Sequence, residues 1–161
     1  RGIAAVSDPV GRFLTLDEEA QRPLLVDLFF EELIASGVDA TTSGSDDYSR
    51  GFNAIKRFFN TEGVSGDLSL LLSRISTIDG GNVNLLVPGG FINGGVATST
   101  SIQKEPDQLG VVAQREGDVN IFVRDDLQVN QSRVFTLDGG RIAIWSSEGD
   151  IDAGRGAKSA V

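Results

Sequence analysis

Carboxylates carry most of the chemistry available to this chain, because it has no His, no Cys and no Met. That absence removes disulfides, Cys/His zinc sites, haem ligation by those residues, and any catalytic triad built on His or Cys. Two acid pairs, Asp46-Asp47 and Asp125-Asp126, could offer oxygen ligands to Ca²⁺. Neither lies in an EF-hand loop or a Gly-Gly-x-Gly-x-Asp repeat, so a solvated turn before a helix and a strand corner are the plainer assignments. Asp118, Asp150 and Asp152 raise glycoside cleavage, which needs two carboxylates about 5–9.5 Å apart across a cleft. Asp118 and Asp150 each follow a Gly, however, where a short acid satisfies turn amides. The Gly-rich run Gly89 to Gly95 has no following Lys-Ser/Thr and opens no helical pattern, so it reads as a corner and loop, not a phosphate cradle. Lys104, Arg124 and Arg133 could hold an acidic glycan, although solvated surface charge is the ordinary state of such residues. No residue is assigned a catalytic, metal or cofactor role, and the chain is expected not to be an enzyme.

The elements that would position these groups fall into two unlike parts. In 161 residues there are 14 Lys and Arg against 23 Asp and Glu, a net charge of −9. An acidic chain lacks the basic face that nucleic acid or an anionic membrane requires, so nucleic acid is excluded as a partner. Twenty Gly against four Pro imply many turns. No apolar run approaches the ~20 residues of a bilayer span. The opening at Arg1, without Met, suggests a fragment or processed chain.

Residues 1–62 read as a helical segment. Thr15 to Glu18 fits a capping box. Pro23 predicts a break near Arg22 with a restart behind it. Leu24, Leu25, Leu28, Phe29, Leu33 and Ile34 then recur at helical spacing towards a stop at Gly37. A loop over 41–47 precedes a second helix with Tyr48, Phe52, Ile55, Phe58 and Phe59 on one face and Arg50, Lys56 and Arg57 on its flanks. The first helix is acidic and the second more basic, which favours their pairing.

From Gly66 the period becomes two. Four segments repeat Gly, a polar residue, then alternating apolar positions, beginning at Gly66, Gly81, Gly117 and Gly140, with an echo at Gly149 to Asp152. Strand-like runs at 127–130 and 133–137 fall between the third and fourth. Three short strands in about twenty residues is the arithmetic of one turn of a parallel β-solenoid. The predicted fold is therefore mainly β: a β-helix of about four coils over 63–161, with an inserted loop at about 93–108 and the helical segment packed on its side or end. Aligning the four segments places Leu68, Val83, Val119 and Ile142 in one inward column and Leu70, Leu85, Ile121 and Ile144 in a second. Ser69, Asn84, Asn120 and Ala143 would face out and be wet. Asn82, Asn84, Asn120 and Asn130 could form amide ladders between coils. Leu71, Leu86, Phe122 and Trp145 would form an apolar outward stripe, which must be covered or used by a partner. Six of the nine Phe precede residue 60, so the helices are expected to cover it.

Several stretches carry a resemblance to a known family. They are Leu28-Phe29-Phe30-Glu31-Glu32-Leu33, Tyr48-Ser49-Arg50-Gly51-Phe52, Asp79 to Gly90 (DGGNVNLLVPGG), Val129 to Thr136 (VNQSRVFT) and Ile144 to Lys158 (IWSSEGDIDAGRGAK). From about residue 14 onward the chain resembles a region near the C-terminal end of filamentous-haemagglutinin-family exoproteins, which Gram-negative bacteria export by two-partner secretion. The resemblance implies a right-handed parallel β-helix forming part of the rigid shaft of a cell-surface or secreted adhesin. It implies flanking β-helix coils as partners, an outer-membrane transporter during export, and a host glycan or surface protein as ligand. It carries over no catalytic residue. The lack of Cys fits passage through the periplasm. Two other functions suit the same fold: a carbohydrate-active β-helix, and the stalk of a contact-dependent inhibition exoprotein.

Overall fold

The computed structural model describes residues 8–60, 62–96, 104 and 108–154. The chain divides into two compact units, Arg1–Gly51 and Phe52–Val161. The division falls inside a helix, earlier than the expected end of the helical segment at residue 62, and Phe52 and Phe59 pack against strands of the second unit.

In the first unit, α1 (Pro9–Leu14) is capped by Asp8, whose carboxylate accepts from the Gly11 N–H at 2.8 Å. Helix α2 runs unbroken from Glu18 to Ser43. The capping residue of α2 is Asp17, which accepts from the Ala20 N–H at 2.8 Å, not Thr15, whose hydroxyl instead donates to the Arg12 carbonyl at the end of α1. Pro23 lies inside α2 without ending it. It forfeits one backbone bond near the amino end. The preceding turn is held by the Asp17 cap and by Gln21, whose side-chain amide donates to the Phe13 and Leu16 carbonyls. Gly37 does not stop the helix either: Gly44 does, in the left-handed conformation (φ 65°) that a terminating residue needs. The buried face of α2 is Phe29, Phe30, Leu33, Ser36 and Ala40. Helix α3 (Ser49–Phe58) starts behind Asp47, whose carboxylate accepts from the Ser49 N–H at 2.9 Å. Within the first unit, Arg50 of the first turn of α3 donates to Glu32 of α2 at 2.8 and 3.1 Å and to Asp39 at 3.0 Å, opposite charges meeting as expected.

Among the described residues the second unit holds ten strands in three parallel sheets, each taking every third strand. Strands β1 (Leu68–Ser69), β4 (Ile92–Asn93), β7 (Leu127–Gln128) and β10 (Ile151–Asp152) form sheet A. Sheet B contains β2 (Arg74–Thr77), β5 (Gly110–Ala113) and β8 (Arg133–Thr136). Sheet C contains β3 (Val83–Val87), β6 (Val119–Val123) and β9 (Ile142–Ser146). Successive triplets therefore add one strand to each sheet in the same order. Apolar side chains from all three sheets share one core, including Ile92, Val111, Ala113, Val119, Ile121 and Leu127.

Register corrects part of the expected columns. In sheet C, Val83, Val119 and Ile142 are aligned, as are Leu85, Ile121 and Ile144. Leu68 is not in that column. It pairs with Ile92, which pairs with Leu127, which in turn pairs with Ile151. Leu70 follows β1 and is buried in the shared core, and Leu71 lies in a turn and is exposed, so neither stands with the sheet C residues. The physical reason is chain length. Only 15 residues separate Gly66 from Gly81, and they contain β1 and β2, so the two glycines open different strands of one triplet. The repeated Gly-polar-apolar pattern marks corners leading into both sheet A and sheet C.

Those corners need glycine where triplets approach closely. A Cβ on Gly140, at φ +99°, would run into the Gly117 carbonyl, and one on Gly117 would meet the Gly81 carbonyl. Of the inserted segment, Asn93 to Val96, Lys104 and Gln108 are described; the Ser/Thr cluster at 97–101 and Pro106 lie outside the described residues.

Candidate functional site

The second unit concentrates its polar groups at the corners and on the outer face of sheet C. Residue 82 and its counterparts form one corner column. The Asn82 side-chain oxygen accepts from the Asp118 N–H at 2.9 Å, and Asp118 accepts from the Arg141 N–H at 2.7 Å. A second column leads into sheet A: Asp67 accepts from the Phe91 N–H at 3.1 Å, and Asp126 from the Asp150 N–H at 3.0 Å. These acids bond the amide of the next triplet, a use of short acceptors that leaves little freedom for acid-base work. Among the described residues no group of three or more His, Cys, Asp or Glu could hold a metal ion. Asp47 is held below the usual carboxylate range by the Ser49 backbone N–H and hydroxyl. Asp125 is lowered by its hydrogen bonds from Arg124.

Two of the three candidate cations are committed as well. Arg124 donates to Asp125 at 2.8 and 3.0 Å and to the Val64 carbonyl at 3.3 Å. Lys104 donates to the Leu72 carbonyl at 2.6 Å. Arg133 is half-buried on β8. These three do not converge on one described anion site.

The outer face of sheet C carries Asn84 and Leu86, then Asn120 and Phe122, then Ala143 and Trp145, in strict register. It is not wet. Asn120 is 4% exposed and Phe122 is fully buried. Ser69, expected in this column, pairs with Asn93 in sheet A. Two rings cover the stripe: Phe52 meets Trp145 edge to face with centroids 5.8 Å apart, and Phe59 stacks on Phe122 at 5.5 Å. Period-3.6 spacing marked both phenylalanines as one helix face, but nothing in the spacing tells which ring meets which strand. Leu71, exposed in its turn, has no place in this stripe. Amide ladders tie the triplets together: Asn120 donates to the Asn84 side chain at 2.9 Å, and Asn130 to the Asn93 side chain at 3.0 Å and the Gly95 carbonyl at 3.2 Å.

Strands β2, β4 and β5 escaped the sequence reading. Two-residue β4 is too short to show a period, and β5 is apolar at every position, which hides alternation. Among the described residues no helix is long and apolar enough to cross a membrane. Compared with family models, with curated proteins and with solved structures, the chain matches none.

Proposed function

We propose that residues 63–161 are a section of a right-handed parallel β-helix, and that the chain is a non-catalytic part of the shaft of a large adhesin exposed on, or secreted from, a Gram-negative cell. Each strand triplet is one coil in this reading. The observation that carries it is the change of exposure along the aligned columns. Val83, Val119 and Ile142 are 6%, 0% and 43% exposed, and Ile92, Leu127 and Ile151 are 1%, 1% and 48% exposed. Apolar positions that are dry on the earlier strands β3, β4, β6 and β7 stand open at β9 and β10, as they would where another coil belongs. The mechanism is mechanical: ladders of backbone and amide hydrogen bonds around an aliphatic interior make a stiff rod that holds recognition elements away from the cell. The similarity of the quoted stretches to filamentous-haemagglutinin-family exoproteins supports the same reading, including export through an outer-membrane transporter and a host glycan or surface protein as ligand.

Antibodies against the second unit test the location. They are expected to label intact, unpermeabilised cells of the producing bacterium or its culture medium, and labelling only after permeabilisation overturns the proposal. Incubation with uronic-acid polysaccharides tests the non-catalytic part: turnover lost on Asp118→Asn or Asp150→Asn makes the chain an enzyme.

A further inference from the structure

Asn93 is the one Asn of the chain that is followed by Gly. That pair has a reaction of its own. The Gly amide nitrogen, unshielded by a Cβ, attacks the side-chain carbonyl carbon of the Asn. A bond forms from nitrogen to Cγ, the bond from Cγ to Nδ2 breaks, and ammonia leaves with the amide proton. Water then opens the resulting imide on either side, giving aspartate or isoaspartate. Every other Asn here precedes a residue whose Cβ hinders the attack. The fold withholds both reacting groups at Asn93. This half-buried residue ends the two-residue strand β4. Its side-chain oxygen accepts from the Gly95 N–H at 3.1 Å and from the Asn130 side-chain nitrogen at 3.0 Å, which fixes the amide that would be attacked. The attacking Gly94 N–H donates to the Gln128 carbonyl at 2.8 Å, so its nitrogen cannot lose the proton and turn towards Cγ without giving up that bond. There is little room to turn: a Cβ on Gly94 would lie 3.0 Å from the Ser132 hydroxyl, and one on Gly95 2.9 Å from the Ser132 Cβ.

Most of these restraints cross from β4 to β7 and the residues just after it. The bonds from Gly94 to Gln128, from Asn130 to Asn93 and from Asn130 to the Gly95 carbonyl are lost together if the two strands part. A strand of two residues has few bonds to hold it, which puts β4 among the segments that open at low cost. We infer that Asn93-Gly94 is a deamidation site gated by separation of β4 from β7, so that opening at this place is recorded in the covalent structure. The two products differ in consequence. Aspartate at 93 keeps both accepted bonds, because among the described residues Asn93 is used through its oxygen alone. Isoaspartate routes the main chain through the former side chain, adds a methylene to it, and carries Gly94 out of register with Gln128. A reversible separation thereby becomes a permanent one. This inference concerns local chemistry and does not depend on the shaft proposal.

The full chain is held at mildly alkaline pH beside a free peptide of residues 91–95, and conversion of Asn93 is followed by mass spectrometry of the tryptic peptide Ile75–Lys104, with electron-transfer fragmentation to locate isoaspartate. The folded chain should react at least about a hundredfold more slowly than the peptide, because the open form is a minor state of about 1% or less. Fully unfolded in urea, the chain should react at the peptide's rate. Below the unfolding transition the rate should stay flat with urea, since parting two short strands exposes little surface. Asn130→Gly suits the left-handed backbone of that residue (φ 57°) and removes the donor that holds the Asn93 amide. It should speed the reaction about fivefold or more, the share of one hydrogen bond in the closed state. The folded chain reacting as fast as the peptide overturns the inference. So does a rate that climbs with urea alongside global unfolding, which makes the whole fold the gate, or a folded Asn130→Gly chain that reacts no faster than the parent.

Discussion

Asn120 donates from its side-chain nitrogen to the Asn84 side-chain oxygen at 2.9 Å, joining residues 36 apart in sequence that are Cα partners in parallel strands. The ladder stops there. The next partner of Asn120 is Ala143, and the buried Asn120 oxygen has no hydrogen-bond partner. A buried polar atom left unpaired costs about 1–3 kcal/mol. Ala143→Asn repeats the register and places a donor facing that oxygen. It should raise stability by about 1 kcal/mol, read as a higher urea midpoint at unchanged slope; an unchanged or lower midpoint would show that the ladder does not extend.

Phe122 is fully buried and stacked on Phe59. Phe122→Ala removes a large ring from a closed site and should cost about 3–5 kcal/mol in denaturant unfolding. Phe135 is only half-buried, so Phe135→Ala should cost distinctly less. Equal losses at the two positions would contradict the cover over sheet C.

Trp145 is the one tryptophan, so its fluorescence reports a single place. Phe52 packs on its ring edge to face. Phe52→Ala should increase acrylamide quenching of Trp145 and shift its emission to the red, while the far-ultraviolet circular dichroism changes little. Quenching that stays the same would mean that Phe52 does not shield the indole.

Two glycines should respond in opposite directions. Gly140 sits at φ +99° against the Gly117 carbonyl, so Gly140→Ala adds both backbone strain and a clash, and should destabilise by about 2 kcal/mol or more. Gly37 is inside α2 with open space around it. Gly37→Ala should stabilise by about 1 kcal/mol, the difference in helix propensity. Thermal melts of the two variants against the parent chain check both signs.

Asp125 titrates below the ordinary carboxylate range because it accepts hydrogen bonds from Arg124. With the folded pKa lowered, its contribution is present above the unfolded value of about 3.9 and is lost as pH falls through the folded value. The pair is partly exposed, so salt screens it. Asp125→Asn should therefore lower the urea midpoint at pH 7, less so at 0.5 M NaCl, and the difference from the parent should shrink below about pH 4. A difference that grows on acidification would reverse the assignment.

Legibility in the sequence followed the range of the forces involved. The corner pattern at Gly81, Gly117 and Gly140 stated the sheet C register because these segments share spacing, polarity and an aliphatic pair that only one alignment superposes. The same pattern misplaced Leu68, Leu70 and Leu71. Sheets A and C use similar corners, and only the pairing of Leu68 with Ile92 distinguishes them. The stop at Gly37 failed for a related reason: a glycine can end a helix or merely sit in one, and the downstream run to Ser43 kept the helix going.

By itself, then, the order of residues determined composition, the exclusion of His and Cys chemistry, the two regimes of hydrophobic period, and the glycine corners, since each follows from side-chain identity and neighbours a few positions away. Tertiary structure alone decided which strands share sheets A and B, that Asn120 is dry, that Phe52 and Phe59 are the rings on Trp145 and Phe122, and that the acids at the corners bind backbone amides of the following triplet. Those outcomes depend on contacts between residues tens of positions apart. Parallel pairing sets such contacts by backbone hydrogen bonds, which every residue but proline can make and which leave no signature in the side chains.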